Sequence, residues 1–516
     1  MAGEILRHLA HINGVFLTAI GHYFDDVLIQ RCLDLTGCAE DIGLTSAVGV
    51  KRTHRHLQSA AVFHQHIDHL MVNHVIVAGI DAAAVGAGLD MGYDRRFLSE
   101  SAAKWVAETL AEGGIHVWFL HRSAPTPLIM HTVKDQNLHF GIEITASHNP
   151  ACYNGIKLFV EEGRDAPLEI TERLETLIAE LEEVPYCKFE TALQDGRITY
   201  LENPFNKFID DIIDLLDMAA LRKRGLRVLF DTMHGSGTYP LQVIFYTARC
   251  TIDTINLNKD AYFGGMMPAP TEETLNSLRE QVVRGNYDFG FAIDVDGDRL
   301  GIVDKCGRYI NANEILCMLY YYLVKYKGWK GPVVRNLCTT HMLDKIAESF
   351  GEKCYEVPVG FKYISSKIDE VDAVLGGESS GGLTVRGHIH GKDSVYAASL
   401  FAEMVSVIGK SPSEILDDLV AEYGRFELVE GNFRFAPERK PDILQLVMVD
   451  KQVPQFDAPV SRISYEDGCK VFFEDGSFIC CRFSGTEPLL RIFAEASSRE
   501  IAAGYIEKFK ALIDIA

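Results

Sequence analysis

From about residue 92 the chain alternates between two hydrophobic periods. Stretches with apolar side chains every three or four residues predict amphipathic helices: SESAAKWVAETLAEGG (99–114), APLEITERLETLIAELEE (166–183) and NKFIDDIIDLLDMAALRK (206–223). In the first of these Ser99 is the expected N-cap and Gly113-Gly114 the stop. Short apolar runs between them predict strands: IHVWFL (115–120), the head of LRVLFDTMHGSG (226–237), and two strands flanking an acidic loop in YDFGFAIDVDGDRLGIVD (287–304). Helix–strand alternation of this kind implies parallel sheets covered by helices, an α/β class. The first 91 residues follow neither pattern. They carry nine of the 18 His, a single Lys and few capping signals.

Composition narrows the picture. At 516 residues the chain is too long for one core and implies several domains. The net charge of −22 argues against a nucleic-acid or anionic-membrane partner. No run of 18 apolar residues offers a membrane span, and MAGEILRHLAHING lacks the features of a signal peptide. Twelve Cys without a Cys-x-x-Cys pattern suit a reducing, cytoplasmic setting. His66 and His69 could share a helix face in the His-rich segment, but no Cys or Glu stands at a zinc-site spacing, so the expectation there is no metal.

Four loops carry candidate chemistry. GIEITASHNP (141–150) reads as a buried strand that breaks into a polar turn, with Ser147 at the break. A lone Ser there would be a turn or helix cap. A nucleophile elbow is excluded, because Thr145 and Asn149 stand where Gly-x-Ser-x-Gly requires glycine. In Asp294-Val295-Asp296-Gly297-Asp298-Arg299, alternate carboxylates can turn their oxygens toward one hard cation, with Mg²⁺ as the expected ion. An EF-hand is ruled out, since Arg299 and Lys305 stand where it needs Gly and Glu. In GGESSGG (376–382), Glu378 and Ser380 offer an acceptor and a donor for sugar hydroxyls. In RFSGTEPLLR (482–491), Arg482, Ser484, Gly485, Thr486 and Arg491 form a donor set for a phosphate.

In this order the four loops resemble those of the α-D-phosphohexomutase family, the phosphoglucomutases and phosphomannomutases. GYDRRFLSE (92–100), PTP (125–127), YNGIK (153–157), DTMHGSG (231–237), PVGFKYI (358–364) and GKDS (391–394) strengthen the likeness, which runs from about 92 to 516. The resemblance implies four domains around a central cleft: three related α/β domains and a smaller C-terminal α+β domain. The expected domains are 1–195 with the phosphoserine loop, 196–308 with the metal loop, 309–423 with the sugar-recognition loop and 424–516 with the phosphate-binding loop. It implies interconversion of hexose 1-phosphate and hexose 6-phosphate through phospho-Ser147 and a 1,6-bisphosphate.

Residue by residue, Mg²⁺ would sit on Ser147, Asp294, Asp296 and Asp298, and Arg299 would neutralise the moving phosphoryl group. Lys157 would serve acid–base transfer, with a pKa lowered by cationic, partly desolvated surroundings. Glu378 and Ser380 would read the sugar, and the loop from Arg482 to Arg491 would hold the resting phosphate. His148, Lys362 and Lys392 are weaker candidates for the same cleft. Glucose 1,6-bisphosphate would act as activator, sugar phosphates are the expected partners, and the protein would be a monomer or dimer.

Two departures stand out. Members acting on glucosamine or mannose phosphates often carry His where this chain has Gly382, which favours glucose; His388 or His390 could approach from downstream, so phosphomannomutase and phosphoglucosamine mutase stay open. The family also opens with a Thr-Ser-Gly and Arg loop, and here only GLTSAVGVKR (43–52) is comparable, with Ala47 in place of Gly. Divergence and a frame error in the gene both account for this segment. A binding-only homologue with a disrupted first domain is the alternative of another class. A phosphatase is disfavoured, because a cleft that retains a bisphosphate excludes water.

Overall fold

A computed structural model describes residues 88–179, 184–483 and 489–514. The readings on the opening segment, including GLTSAVGVKR, His66 and His69, lie outside the described residues.

Three sheets repeat one plan. In the first, β1 (Leu89–Tyr93), β2 (Val117–Phe119), β3 (Phe140–Ile144), β4 (Ile156–Val160), β5 (Arg164–Asp165) and β6 (Ile198–Tyr200) lie in the order β5-β4-β3-β1-β2-β6. β1 runs parallel to β2 and β3, and β4 returns antiparallel to β3. The second sheet, β7 (Arg227–Asp231), β8 (Thr251–Ile255), β9 (Phe289–Ile293), β10 (Leu300–Asp304) and β11 (Tyr309–Ile310), has the order β11-β10-β9-β7-β8. The third, β12 (Val333–Asn336), β13 (Cys354–Val357), β14 (Leu375–Gly377) and β15 (Leu383–Val385), has the order β13-β12-β14-β15. In each, a parallel strand is followed by an antiparallel hairpin partner, and the loop of that hairpin is one of the polar motifs: 145–155 after β3, 294–299 after β9, 378–382 after β14. Loops that leave the carboxyl ends of parallel strands are where such folds place ligands.

The fourth sheet is wholly antiparallel. Its strands β16 (Glu427–Arg434), β17 (Val460–Ser464), β18 (Cys469–Phe473), β19 (Phe478–Phe483) and β20 (Leu489–Ala496) lie in the order β16-β20-β19-β18-β17. One face packs Ile479, Cys481, Ile492 and Ala494 on a helix, Arg499–Ile513. The other sets Phe478, Cys480 and Phe493 against Leu337 and Cys338 of the third domain. At that seam buried Arg335 pairs with Asp344 and Glu356, and Lys470 reaches Glu356 at 2.5 Å. Mixed sheets in three units and an α+β fourth match the architecture expected from the sequence.

Helices close the sheets. α1 (Ser99–Glu112) follows the sequence reading in extent, but Ser99 does not cap it. Leu98 takes the cap position in a left-handed conformation, and Ser99 Oγ instead donates to Asp94 Oδ1 at 2.7 Å. α2 (Thr126–Asp135) begins behind Pro125 and sets its first residue on the acidic loop, Thr126 N donating to Asp296 O at 2.8 Å. The single helix expected over 206–223 is two, Pro204–Leu215 and Met218–Arg224, because Asp217 turns its side chain to cap Ala220 N and starts a new helix. α3 (Phe361–Val371) follows PVG, and α4 (Ser394–Ile408) is apolar on every side and buried. α4 belongs to one continuous core that spans the first three units, so their loops are held on a common base.

One buried group is out of place. Asp90 sits in β1, fully buried between two neighbouring strands, and neither carboxyl oxygen has a hydrogen-bond partner among the described residues. Burial pushes its pKa well above the usual carboxylate value. A folded-state pKa above the unfolded one contributes stability at low pH that is lost as pH rises. Asp90→Val therefore raises the unfolding free energy by about 1–2 kcal/mol at neutral pH. Its margin over wild type widens from acid to neutral pH, as denaturant titration across pH will show.

Candidate active site

The serine loop is held from beneath. Arg96 is buried and its guanidinium donates to the backbone carbonyls of Ser147 and of Asn149 (2.6 Å), Pro150 (3.0 Å) and Tyr153 (3.1 Å). Asp94 faces Arg96 at 3.4 Å and accepts from Thr145 Oγ1 at 2.8 Å. Thr145 Oγ1 in turn accepts Ser147 N at 2.9 Å. These contacts keep Ser147 at φ 49°, a left-handed conformation uncommon for serine, and turn its hydroxyl outward. Ser147 Oγ donates to Asp294 Oδ2 at 3.0 Å. His148 Nδ1 lies 3.4 Å from the same hydroxyl oxygen, and burial with Arg299 nearby pushes its pKa down to about 4, so it is neutral at pH 7.

The acidic loop folds on itself. Gly297 takes φ 71°, and Asp294 Oδ1 accepts Asp298 N at 2.9 Å and Arg299 N at 3.0 Å. The three aspartates are essentially buried, and one oxygen from each lies within 4.8 Å of the others. Asp296 Oδ2 accepts from Thr126 Oγ1 at 2.8 Å and from Lys157 Nζ at 2.6 Å. Asp298 Oδ2 takes Lys157 at 2.9 Å and Lys392 at 3.1 Å. The other oxygens, Asp296 Oδ1 and Asp298 Oδ1, are buried and have no hydrogen-bond partner among the described residues. Burial and the neighbouring carboxylates push Asp294 well up, whereas Lys157 holds Asp296 below the ordinary value and, with Lys392 and Arg299, holds Asp298 well below it, despite burial. Three buried carboxylates that bring one oxygen each within 4.8 Å, two of them with an oxygen that has no hydrogen bond among the described residues, fit a divalent cation, with Ser147 Oγ beside Asp294.

Lys157 departs from expectation. It stands on β4 opposite Glu143 on β3, among carboxylates rather than cations. Burial works against its charge, but Asp296, Asp298 and Glu143 hold its pKa well above the ordinary value instead of below it. Glu143 is itself buried and touches Thr126 Oγ1; burial and Asp296 push its pKa well up, opposed by Lys157. Arg299 keeps its Nε 3.9 Å from Asp298 Oδ1, and that nitrogen donates no hydrogen bond among the described residues.

The third loop meets the second. Leu300 N donates to Gly381 O at 3.3 Å, and Ser394 N at the head of α4 donates to Gly297 O at 3.1 Å. Glu378 accepts from Ser380 Oγ at 2.6 Å and from Asn336 Nδ2 at 3.3 Å. A Cβ at Gly382 would meet Lys392 Cδ at 2.1 Å, so a side chain there displaces the lysine that reaches Asp298. Neither downstream histidine is free to stand in: His388 is bound to Asp393 at 2.5 Å and His390 to Asp369 at 3.0 Å. Lys362 lies at the start of α3, its ammonium 5.1 Å over the Tyr363 ring.

Of the phosphate loop, Ser484, Gly485 and Thr486 lie outside the described residues. Arg482 and Arg491 stand opposite each other on β19 and β20. Arg482 is engaged: its Nε and one terminal nitrogen donate to Asp467 at 3.1 and 2.9 Å, and Asp467 also accepts Val359 N at 2.8 Å. Arg491 is exposed.

Sequence reasoning assigned no role to Asp94, Arg96, Thr126, Glu143 or Asp467. A signal existed for Glu143, a lone acid inside the apolar strand FGIEI.

Models of the phosphoglucomutase/phosphomannomutase family match four segments: alpha/beta/alpha domain I over 64–185, domain II over 206–307, domain III over 311–423 and the C-terminal domain over 431–512. A phosphoglucomutase/phosphomannomutase of Thermococcus kodakarensis is 30% identical over 387 residues, 74% of this chain and 80% of its own. A phosphoglucosamine/phosphogalactosamine mutase of Sulfurisphaera tokodaii is 27% identical over 429 residues, 82% of this chain and 90% of its own. Among solved structures, a protein of Thermus thermophilus described as a phosphomannomutase aligns with TM-score 0.74 and 25% identity, over 87% of this chain and 94% of that one.

Proposed function

Since the chain belongs to the phosphoglucomutase/phosphomannomutase family and is thus a phosphohexomutase, we propose that it interconverts hexose 1-phosphate and hexose 6-phosphate through a phosphoserine at Ser147. The observation that supports this most is Ser147 Oγ set 3.0 Å from a buried aspartate triad with Lys157 across it. Membership of an enzyme family weighs against the binding-only alternative.

In this reading, phospho-Ser147 gives its phosphoryl group to the free hydroxyl of the bound sugar phosphate. The P–O bond to Ser147 breaks, a P–O bond to the sugar forms, and the hydroxyl proton leaves to a base. The resulting 1,6-bisphosphate returns its other phosphoryl group to Ser147. Transfers of this kind rest on positioning and charge more than on covalent help. Arg96 and Asp94 fix the loop that carries the nucleophile. Asp294, Asp296 and Asp298 would hold Mg²⁺, which when bound draws negative charge from the transferring phosphoryl group. Arg299, whose Nε lies 3.9 Å from Asp298, would neutralise the equatorial oxygens.

Lys157 moves a proton only when its carboxylate partners turn to other work. While Asp296 and Asp298 face it, the ammonium is the stable form and Lys157 is poised as the acid. Glu378 and Ser380 would bind the sugar, and Lys392 and Lys362 would flank it. Arg482, Arg491 and the segment between them would receive the distal phosphate, with Arg482 oriented by Asp467.

Glucose is our first choice of sugar, because Gly382 presents no side chain to it. The relative from Sulfurisphaera tokodaii, named for amino-sugar phosphates, supports a second. Ten free thiols among the described residues support a cytoplasmic setting, and no described helix is long and apolar enough to cross a membrane. A coupled assay with Mg²⁺ and a trace of glucose 1,6-bisphosphate should show turnover of glucose 1-phosphate above mannose 1-phosphate. Turnover of none of the hexose 1-phosphates would sink the proposal.

A further inference from the structure

We propose that Asn336 is a positioning residue of the mutase: its side-chain amide, with Thr339 beside it, holds Glu378 and the sugar loop in the orientation that meets the substrate. The inference deepens the mutase reading and rests on it, because Glu378 is the sugar contact in that reading.

A run as rich in glycine as GGESSGG does not hold its own shape. Gly381 takes φ 102°, and Ser380, which donates to Glu378 Oε1 at 2.6 Å, is itself exposed. The orientation of the Glu378 carboxylate has to be set from beneath the loop. There lies the turn NLCTTH (336–341), at the carboxyl end of β12, the strand that pairs with β14.

Asn336, Cys338 and Thr339 are buried. Asn336 Oδ1 accepts Cys338 N at 2.9 Å, an Asx-turn, and Thr339 Oγ1 at 2.9 Å. A backbone N–H only donates, so the oxygen end of this amide must face the turn and the nitrogen end must face away from it. Asn336 Nδ2 accordingly donates to Glu378 Oε2 at 3.3 Å. Thr339 Oγ1 spends its one proton on Asn336 and accepts Ser379 N at 3.1 Å. The turn therefore holds the sugar loop at two points, the carboxylate of Glu378 and the backbone of the residue after it. With Ser380 on one carboxylate oxygen and Asn336 on the other, the direction of the remaining lone pairs is fixed before a sugar arrives.

The turn is anchored in its own right. Lys470 Nζ of the fourth domain donates to Leu337 O at 2.6 Å, and Glu495 Oε1 accepts His341 N at 2.8 Å. Asn313 Oδ1 accepts Thr340 N at 3.2 Å. Asn336 thus ties a glycine-rich loop to a base fastened from two sides.

The test is a mutant cycle between Asn336→Asp and Glu378→Gln, read as kcat/KM for glucose 1-phosphate with Mg²⁺ and glucose 1,6-bisphosphate. Aspartate keeps the shape and the Asx-turn but turns an acceptor toward Glu378, so kcat/KM should fall about 10²-fold. In the double variant the amide at position 378 can donate to the carboxylate at position 336, which restores the pair with donor and acceptor exchanged. The losses should therefore not multiply, and the double variant should be at least as active as Glu378→Gln alone. Thr339→Val should lose about tenfold, and Thr339→Ser should recover most of it. Urea unfolding of each variant checks that the fold is kept. Losses that multiply, an Asn336→Asp enzyme within about twofold of wild type, or Thr339→Val as active as Thr339→Ser would overturn the role of Asn336 and leave the mutase reading standing. A wild type that turns over no hexose 1-phosphate overturns both.

Discussion

Ser147→Ala should abolish turnover while leaving sugar-phosphate binding in place, with kcat falling by about 10⁴-fold or more. The reasoning is chemical. If the phosphoryl group travels on Ser147, alanine removes the only atom that can carry it between the two ends of the sugar. The fold should not notice. The loop is held through Thr145 Oγ1, the Arg96 clamp and backbone carbonyls, all of which alanine keeps. Alanine gives up the 3.0 Å bond to Asp294 and the 3.4 Å approach of His148. Steady-state kinetics should therefore show the loss in kcat, and calorimetry with glucose 1-phosphate should show a Kd within a few-fold of wild type. Residual turnover above about one per cent of wild type would mean that another group carries the phosphoryl.

The next largest effect is expected from Asp298→Asn, a fall in kcat/KM of about 10³-fold. Asp298 is where the site's charges meet: Lys157 and Lys392 both rest on its Oδ2, while its Oδ1 is buried without a hydrogen bond among the described residues and lies 3.9 Å from Arg299 Nε. Asparagine keeps the shape and removes the charge. A divalent cation loses one of three anionic ligands, and two ammonium groups lose a shared counter-ion in a buried place, where an unpaired charge is costly. The signature is a strongly raised Mg²⁺ requirement that excess Mg²⁺ restores only in part. A loss of activity with an unchanged Mg²⁺ dependence would assign Asp298 to lysine positioning alone.

The four polar loops were legible because each is a short local run placed where an apolar strand ends; the alternation of periods announced parallel sheets covered by helices, and the three α/β units and their order came from the resemblance of the loops to those of the family. What could not be read was who faces whom. Lys157 looked like a base in cationic surroundings because its true neighbours, Asp296 and Asp298, lie far along the chain on another domain. Arg482 looked like a free phosphate ligand because nothing in the sequence ties it to Asp467 across the β18–β19 hairpin. Arg96 sat in a motif already noticed, yet its work is done through backbone carbonyls, which carry no sequence signal. The split near residue 216 was hidden for a different reason: one side-chain cap at Asp217 outweighed a helical period that continues through it.

The most direct test of the account is to incubate the protein with glucose 1,6-bisphosphate and Mg²⁺, digest it, and locate phosphate by tandem mass spectrometry. The account requires phosphate on the peptide containing Ser147, at Ser147 itself, discharged when glucose 6-phosphate is added in excess. Phosphate confined to another residue, or a Ser147 that stays unmodified while sugar phosphates are interconverted, would contradict it.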